Sequence, residues 1–343
     1  MECLRQMAWR LVLLLMLGGL EGAASPSAAA WANPGSGPSG YRLLKKIPID
    51  GEEGWDYLSL DAAGRRLYIS RETRVQVVDL VTEAVVGDVR GMNGVHGIAI
   101  APESNRGFVT NGKDGTSIFF DLKSLKPQGQ VKTGKNPDAI LYDPATKRVF
   151  VFNGGSDSAT VIDAAAGTVA GTVSLGGAPE FGVADGAGRV YVNLEDKNQI
   201  VVIDSRTLAV LGRWGLGGGQ KPTGLAIDRK NRRLFSTCRD SKTMVVVDAD
   251  SGKVLASLPI GSGVDAAEFD PESAFAMCSN GDATMTVVRE ESPSKFVVLE
   301  NVQTWGGAKT MALDPRTHRV YLVAADQSKS KKEVFLLIYD KQG

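Results

Sequence analysis

Residues 189–204 read RVYVNLEDKNQIVVID, and this stretch is the unit from which the chain is built. A basic and an apolar residue precede an aromatic, Arg189-Val190-Tyr191. A polar segment follows, and the β-branched run Ile200-Val201-Val202-Ile203 then ends on Asp204. Apolar bursts of about four to six residues, bounded by Gly, Asp, Asn or Lys, read as strands buried on both faces; none extends to helical length or shows a 3.6-residue period. The first half of the unit recurs as Arg66-Leu67-Tyr68, Arg148-Val149-Phe150, Arg233-Leu234-Phe235 and Arg319-Val320-Tyr321, with looser copies at Arg106-Gly107-Phe108 and Ala274-Phe275. The aromatics stand at 68, 108, 150, 191, 235, 275 and 321.

Two further landmarks keep the same register. An Asp ends the Val-rich run at Asp79, Asp121, Asp163, Asp204, Asp248 and Asp340, with Arg289 in its place in the sixth copy. Another Asp precedes the aromatic at Asp61, Asp143, Asp185, Asp228, Asp270 and Asp314, with Ala101 at the missing position. A repeat near 42 residues that holds four short strands is one propeller blade. The sequence therefore predicts an all-β fold, a seven-bladed β-propeller with four antiparallel strands per blade. The seventh copy ends before its own last strand, while residues 41–49, YRLLKKIPI, resemble a last strand placed before the first copy. The N-terminal strand is thus expected to close the last blade, against residues 335–339, and to remove an open edge.

The rest of the chain sets the compartment. Arg5 and Arg10 precede a short apolar run at residues 11–20, LVLLLMLGGL, and small residues with A-x-A spacing follow at 28–30 and 30–32. Residues 1–32 read as a signal peptide, 33–40 (NPGSGPSG) as a linker, and 41–343 as the propeller. The expected location is periplasmic or secreted, with no transmembrane segment after signal removal. Lys plus Arg and Asp plus Glu both number 39, so formal net charge is zero. Strong nucleic-acid binding is not expected from such a chain, leaving only local contacts such as Arg71, Arg239 and Lys309. A monomer is expected.

The strand Gly107-Phe108-Val109-Thr110-Asn111 resembles the Tyr-Val-Thr-Asn signature of the YVTN-repeat β-propellers, a family that includes YncE-like exported proteins. Tyr191-Val192-Asn193 and Phe150-Val151-Phe152-Asn153 are looser copies, and Pro137-Asp138 and Pro179-Glu180 before the first strands also look like that family. The resemblance covers residues 41–343. It implies the propeller and export, and leaves activity open, since relatives include surface-layer proteins, a single-strand DNA binder, lactone hydrolases and a metal-dependent lyase.

Blades repeat around an axis, so equivalent positions form rings. Five residues before the second Asp landmark stand Asp56, His96, Asp138, Glu180, Thr223, Asp265 and Lys309. Each opens an innermost strand, which places them at the channel mouth as ligand-binding candidates. Asp138, Glu180, Asp265 and His96 suit a divalent metal ion, the candidate cofactor. The alternative is that these side chains cap backbone groups and hold channel water. The loops after the second strands, including residues 71–72 and 111–114, share that face. Trp55 and Trp305, assigned to blades one and seven, offer a stacking surface for a ligand or else pack between blades. Cys238 and Cys278 follow Phe235 and Phe275 by three residues, so as equivalents in adjacent blades they face the same way and are poorly placed for a disulfide. His318, in a Thr-His-Arg turn on the opposite face, is expected to be exposed. No G-x-S-x-G elbow, P-loop or haem motif is present, and two His residues exclude a His-rich centre.

Two functional readings follow. One is an exported binding or scaffold protein of the cell envelope, taking a protein, peptide, glycan or small-molecule ligand on the funnel face. The other is a divalent-metal-dependent hydrolase or lyase that uses the ring.

Overall fold

The computed structural model describes residues 37–51, 54–326 and 333–342, so the expected signal peptide and most of the linker lie outside the described residues. Seven four-stranded antiparallel sheets succeed one another along the chain, and each begins at the innermost strand. Blades 1 to 6 span residues 58–90, 95–132, 137–174, 179–215, 222–259 and 266–306. Blade 7 takes residues 311–341 and closes with Tyr41–Ile49, which pairs antiparallel with Glu333–Lys341. The Tyr41 hydroxyl donates to the carbonyl of His318 at 2.9 Å and so ties the first strand to the last blade. Among the described residues no helix is long and apolar enough to cross a membrane.

Each blade is sandwiched between two others, so its middle strands are apolar on both faces. Arg189–Leu194 and Gln199–Asp204 are buried apart from their outermost residues, whereas the rim strand Val210–Gly215 alternates. Tyr68, Phe108, Phe150, Tyr191 and Phe235 are 0 % exposed. Burying one such side chain is worth roughly 1.5–3 kcal/mol. In the sixth blade the aromatic landmark is displaced. Asp270 pairs with Phe275, as Asp143 pairs with Arg148 and Asp228 with Arg233, so Phe275 stands in the arginine's place and Met277 in the aromatic's. Cys238 and Cys278 are consequently not equivalent positions. Both are free and buried, and burial pushes their thiols up to about 11 and about 12.

The repeated Arg clasps the next blade. Arg106 Nη1 donates to the carbonyls of Ala164 and Ala165 (3.1 and 2.6 Å), and Arg148 Nη1 to those of Ser205 and Arg206 (both 2.8 Å). Both Asp landmarks cap turns on the face away from the ring. Asp204 Oδ1 accepts from the N–H groups of Arg206 (2.9 Å) and Thr207 (2.7 Å), and Asp143 Oδ1 from that of Ala145 (3.1 Å). These are Asx turns, which close a hairpin without a second strand residue. Arg289 cannot do this, and there the two outer strands run on as Asp282–Ser292 and Lys295–Gly306.

Several expectations change. Trp305 lies in the outer strand of blade 6, not in blade 7. His318 is not simply exposed: its Nδ1 is 2.9 Å from the buried Asp270 and its Nε2 is 3.3 Å from Glu272. Arg71 is fully buried. It donates to the carbonyls of Asp50 and Gly51 (both 3.0 Å) and Gly54 (3.3 Å), holding the segment that leads to the mouth.

Candidate metal centre at the channel mouth

The innermost strands of blades 2 to 5 slip register at one place each: Val95/Ile98, Pro137/Ile140, Pro179/Gly182 and Pro222/Leu225. His96, Asp138, Glu180 and Thr223 sit in these irregular steps. A bulge leaves backbone groups unpaired and re-aims a side chain, and buried polar side chains on the second strands take up the loose groups. Thr110 Oγ1 accepts from Gly97 N–H at 2.7 Å and donates to the Asp138 carbonyl at 2.6 Å. Asn193 Nδ2 donates to the carbonyls of Thr223 and Gly224 (2.9 and 3.1 Å), and Ser279 Oγ to that of Lys309 (2.6 Å). In blade 1, Asp56 N–H donates to Ser70 Oγ at 3.1 Å. At Gly97 a Cβ would come within 2.7 Å of the Asp138 carbonyl oxygen, so only glycine lets the two inner strands approach.

The ring resolves into three groups. Asp56, His96 and Asp138, from three successive blades, bring one ligand atom each within 4.8 Å of one another. His96 Nδ1 is 2.7 Å from Asp56 Oδ2 and 3.8 Å from Asp138 Oδ1. The three side chains are 31 %, 26 % and 24 % exposed, yet Asp138 Oδ1 itself is closed off from solvent and has no hydrogen-bond partner among the described residues. Burial, reinforced by the Asp56 and Asp265 charges, pushes the Asp138 carboxyl up to about 6 against the opposing pull of His96 and Lys309. The hydrogen bond to Asp56 raises His96 above its ordinary value despite desolvation.

Glu180 forms the second group, with Glu195 as a neighbour. Burial and this neighbour hold Glu180 far above the carboxylate range. The neighbouring Glu180 lowers Glu195, and Lys221 Nζ at 3.0 Å from Glu195 Oε1 adds to that. The third group is Asp265, ion-paired with Arg239 and with Lys309 Nζ at 2.6 Å. Among the described residues, Glu180 and Asp265 lie outside the group of ligand atoms that come within 4.8 Å of one another. Asp265 is taken up by its two cations, and Asp56 takes the third place in the group. Thr223 is fully buried, with its hydroxyl 3.3 Å from the Val264 carbonyl, and faces the next blade instead of the mouth.

The tryptophans do not build one stacking surface. Trp55 packs into the core between blades 1 and 7, and Trp305 stands edge-on to Phe335 at 4.8 Å with Lys46 Nζ 4.1 Å from its ring. Of the cations named as local nucleic-acid contacts, Arg71 is buried, and Arg239 and Lys309 are spent on Asp265.

Sequence reasoning missed Tyr57. It reaches from blade 1 across the axis to Phe181 of blade 4, ring centroids 5.0 Å apart, and packs against the core of blades 3 and 4. Burial and the surrounding Asp138, Glu180, Asp56 and Asp265 charges keep its hydroxyl protonated. The signal was present: Gly97, Ala139, Gly224 and Ala266 occupy the same repeat position, and two aromatics among small residues mark a filled axis.

These features define the class, a seven-bladed propeller with a charged mouth floored by an aromatic pair. Comparison with protein-family models finds no match, and comparison with curated proteins finds none either.

Proposed function

We propose that the protein is a divalent-metal-dependent hydrolase or lyase whose ion is held by Asp56, His96 and Asp138. The observation that carries this is Asp138 Oδ1, a buried acceptor without a hydrogen-bond partner, turned toward an imidazole and a second carboxylate. A buried carboxylate oxygen without a donor costs about 1–3 kcal/mol, more when charged, and a cation removes that cost. One nitrogen and two carboxylates suit Mn, Fe or Zn. Three protein ligands leave positions open for water and substrate, and a bound ion polarises a carbonyl or lowers the pKa of water. The chain's own residues set the geometry: Thr110 and Ser70 hold the ligand-bearing segments, and Tyr57 and Phe181 confine a ligand to the mouth.

The same reading takes the chain as an exported, monomeric relative of YVTN-repeat propellers. The support is the pattern at residues 107–111 and the apolar run at 11–20. Elemental analysis of protein purified without chelator tests the function, together with a screen of ester, amide and lyase substrates before and after chelation. The expected result is close to one equivalent of metal and an activity lost with it. Metal-free protein that gains no ion on dialysis against Mn²⁺ or Zn²⁺ contradicts the proposal and returns the mouth to a binding role. Cell fractionation tests export, with a mature mass lacking about 32 residues as the expected result.

A further inference from the structure

Between blades 2 and 3 an open groove of about 440 Å³ lies on the mouth face. Its size falls in the range of small-molecule sites. One wall is the hairpin loop of blade 2 at residues 112–115. The other is the link at residues 133–136, backed by Ser156 of blade 3. Ser156 Oγ accepts from Lys135 N–H at 3.1 Å and so ties the link to that blade. Both walls lead to the metal cluster. A Cβ on Gly112 would lie 2.8 Å from His96 Nε2, so Gly112 packs on the imidazole edge turned away from Asp56. The link runs directly into the strand Pro137–Asp143, which carries Asp138.

The groove holds two lysines and one carboxylate, and the carboxylate is already taken. Asp114 Oδ1 accepts from Asn93 Nδ2 at 3.2 Å, and Oδ2 from Asn111 Nδ2 at 2.9 Å. Lys113 and Lys135 are exposed, and among the described residues neither ammonium has an ion pair or a hydrogen bond. The corresponding groove between blades 4 and 5, of about 490 Å³, has the opposite balance. There Glu195, Asp196 and Asp240 stand against one lysine, and Lys221 Nζ is held by Glu195 at 3.0 Å. The repeat builds the same groove twice and leaves uncompensated positive charge in one of them. Two like charges without a counter-ion repel, and an anion between them relieves the repulsion.

We propose that the groove between blades 2 and 3 is an anion site, in which Lys113 and Lys135 hold a carboxylate or phosphate group of the substrate beside the Asp56–His96–Asp138 cluster. Its place in substrate recognition rests on the hydrolase or lyase reading; the anion site itself does not. The substrate class is then a small acid, with its anionic group in the groove and its reacting bond past the imidazole edge of His96. Both lysines are exposed, so the attraction is screened by salt and serves to select and orient.

Amide NMR of the isotope-labelled full chain, stripped of metal and kept at low salt, tests the proposal. Succinate is titrated in one series and methyl phosphate in another. At least one of them should move the signals of Gly112, Gly115 and Gly134 and leave those of Glu195 and Asn198 in place. The tighter of the two names the group, carboxylate or phosphate. Lys113→Gln combined with Lys135→Gln should weaken that binding about ten-fold, and Lys221→Gln in the acidic groove should not change it. Signals that stay still with both anions, or an affinity that the double substitution leaves within about two-fold of wild type, overturn the proposal. Mn²⁺ calorimetry on the same samples separates it from the metal reading. Anion binding without Mn²⁺ uptake overturns the metal centre and leaves the groove in place, and Mn²⁺ uptake without anion binding does the reverse.

Discussion

Acidic residues ring the propeller at both ends of its innermost strands, and the two rings behave in opposite ways. At the closed end stand Asp61, Asp143, Asp185, Asp228, Asp270 and Asp314, each accepting a backbone N–H from the turn that follows, as Arg316 N–H donates to Asp314 Oδ1 at 3.0 Å. For Asp185 and Asp314 burial works against ionisation, yet turn N–H groups and the ion pairs with Arg232 and Arg65 outweigh it and hold the carboxyls low. At the mouth the innermost strands begin instead of turning, and among the described residues Asp138 Oδ1 receives no N–H. There burial wins, and Asp138 and Glu180 are pushed up. The number of carboxylates does not mark a site. The supply of donors does: the closed-end ring is complete within the fold, whereas at the mouth Asp138 Oδ1 is left without a donor.

The largest expected effect is at the closed end. Asp314→Ala removes the partner of Arg65, the turn contact to Arg316 N–H and the Thr317 hydroxyl contact at 2.9 Å from a fully buried position. It should cost about 3 kcal/mol in denaturant unfolding. A loss below about 1 kcal/mol would show that the turn closes without it.

The mouth should respond with the opposite sign. Without metal, Asp138→Asn should stabilise the protein by about 1–2 kcal/mol near pH 8, because the wild-type carboxyl must ionise in a buried place. Destabilisation by that substitution would mean Asp138 is satisfied as the closed-end residues are.

The pH dependence follows from the same difference. Asp138 and Glu180 are raised, so the folded apoprotein binds more protons than the unfolded chain above the ordinary carboxylate range. Their contribution therefore falls as pH rises through about 6 for Asp138, and higher for Glu180. His96, raised as well, contributes stability below its unfolded value that is lost as pH climbs through its folded one. The apoprotein should melt at a lower temperature near pH 8 than near pH 6, and saturating Mn²⁺ should remove or reverse that slope, because the ion binds the deprotonated ligands. Calorimetric melting that shows apoprotein stability rising over this interval contradicts the assignment.

A smaller effect belongs to the support. Thr110→Val keeps the shape but strands Gly97 N–H and the Asp138 carbonyl. It should cost about 1–2 kcal/mol and weaken metal binding as well. Unchanged metal affinity at the expected stability loss would make Thr110 purely structural.

The fold was legible because its signals are periodic. The Arg, the aromatic and the two Asp landmarks each do one job in blade after blade, and Tyr41–Ile49 was recognisable as a rim strand without neighbours. The sixth blade misled because the nearest aromatic, Phe275, replaces the Arg while Met277 fills the aromatic's place. The ring was legible as a position but not as a site. One register holds Asp56, His96 and Asp138 together, yet whether a carboxylate is free depends on partners elsewhere in the chain, as Arg239 and Lys309 are for Asp265. Thr223 went astray because a bulge turns its side chain toward blade 6, and the repeat count does not record bulges.

The central claim is tested most directly by titrating metal-free protein with Mn²⁺ in a calorimeter near pH 8, using wild type, Asp138→Asn and Asp265→Asn. The account predicts one ion bound by wild type and by Asp265→Asn, and none by Asp138→Asn. Equal binding by wild type and Asp138→Asn, or loss of binding only in Asp265→Asn, would contradict it.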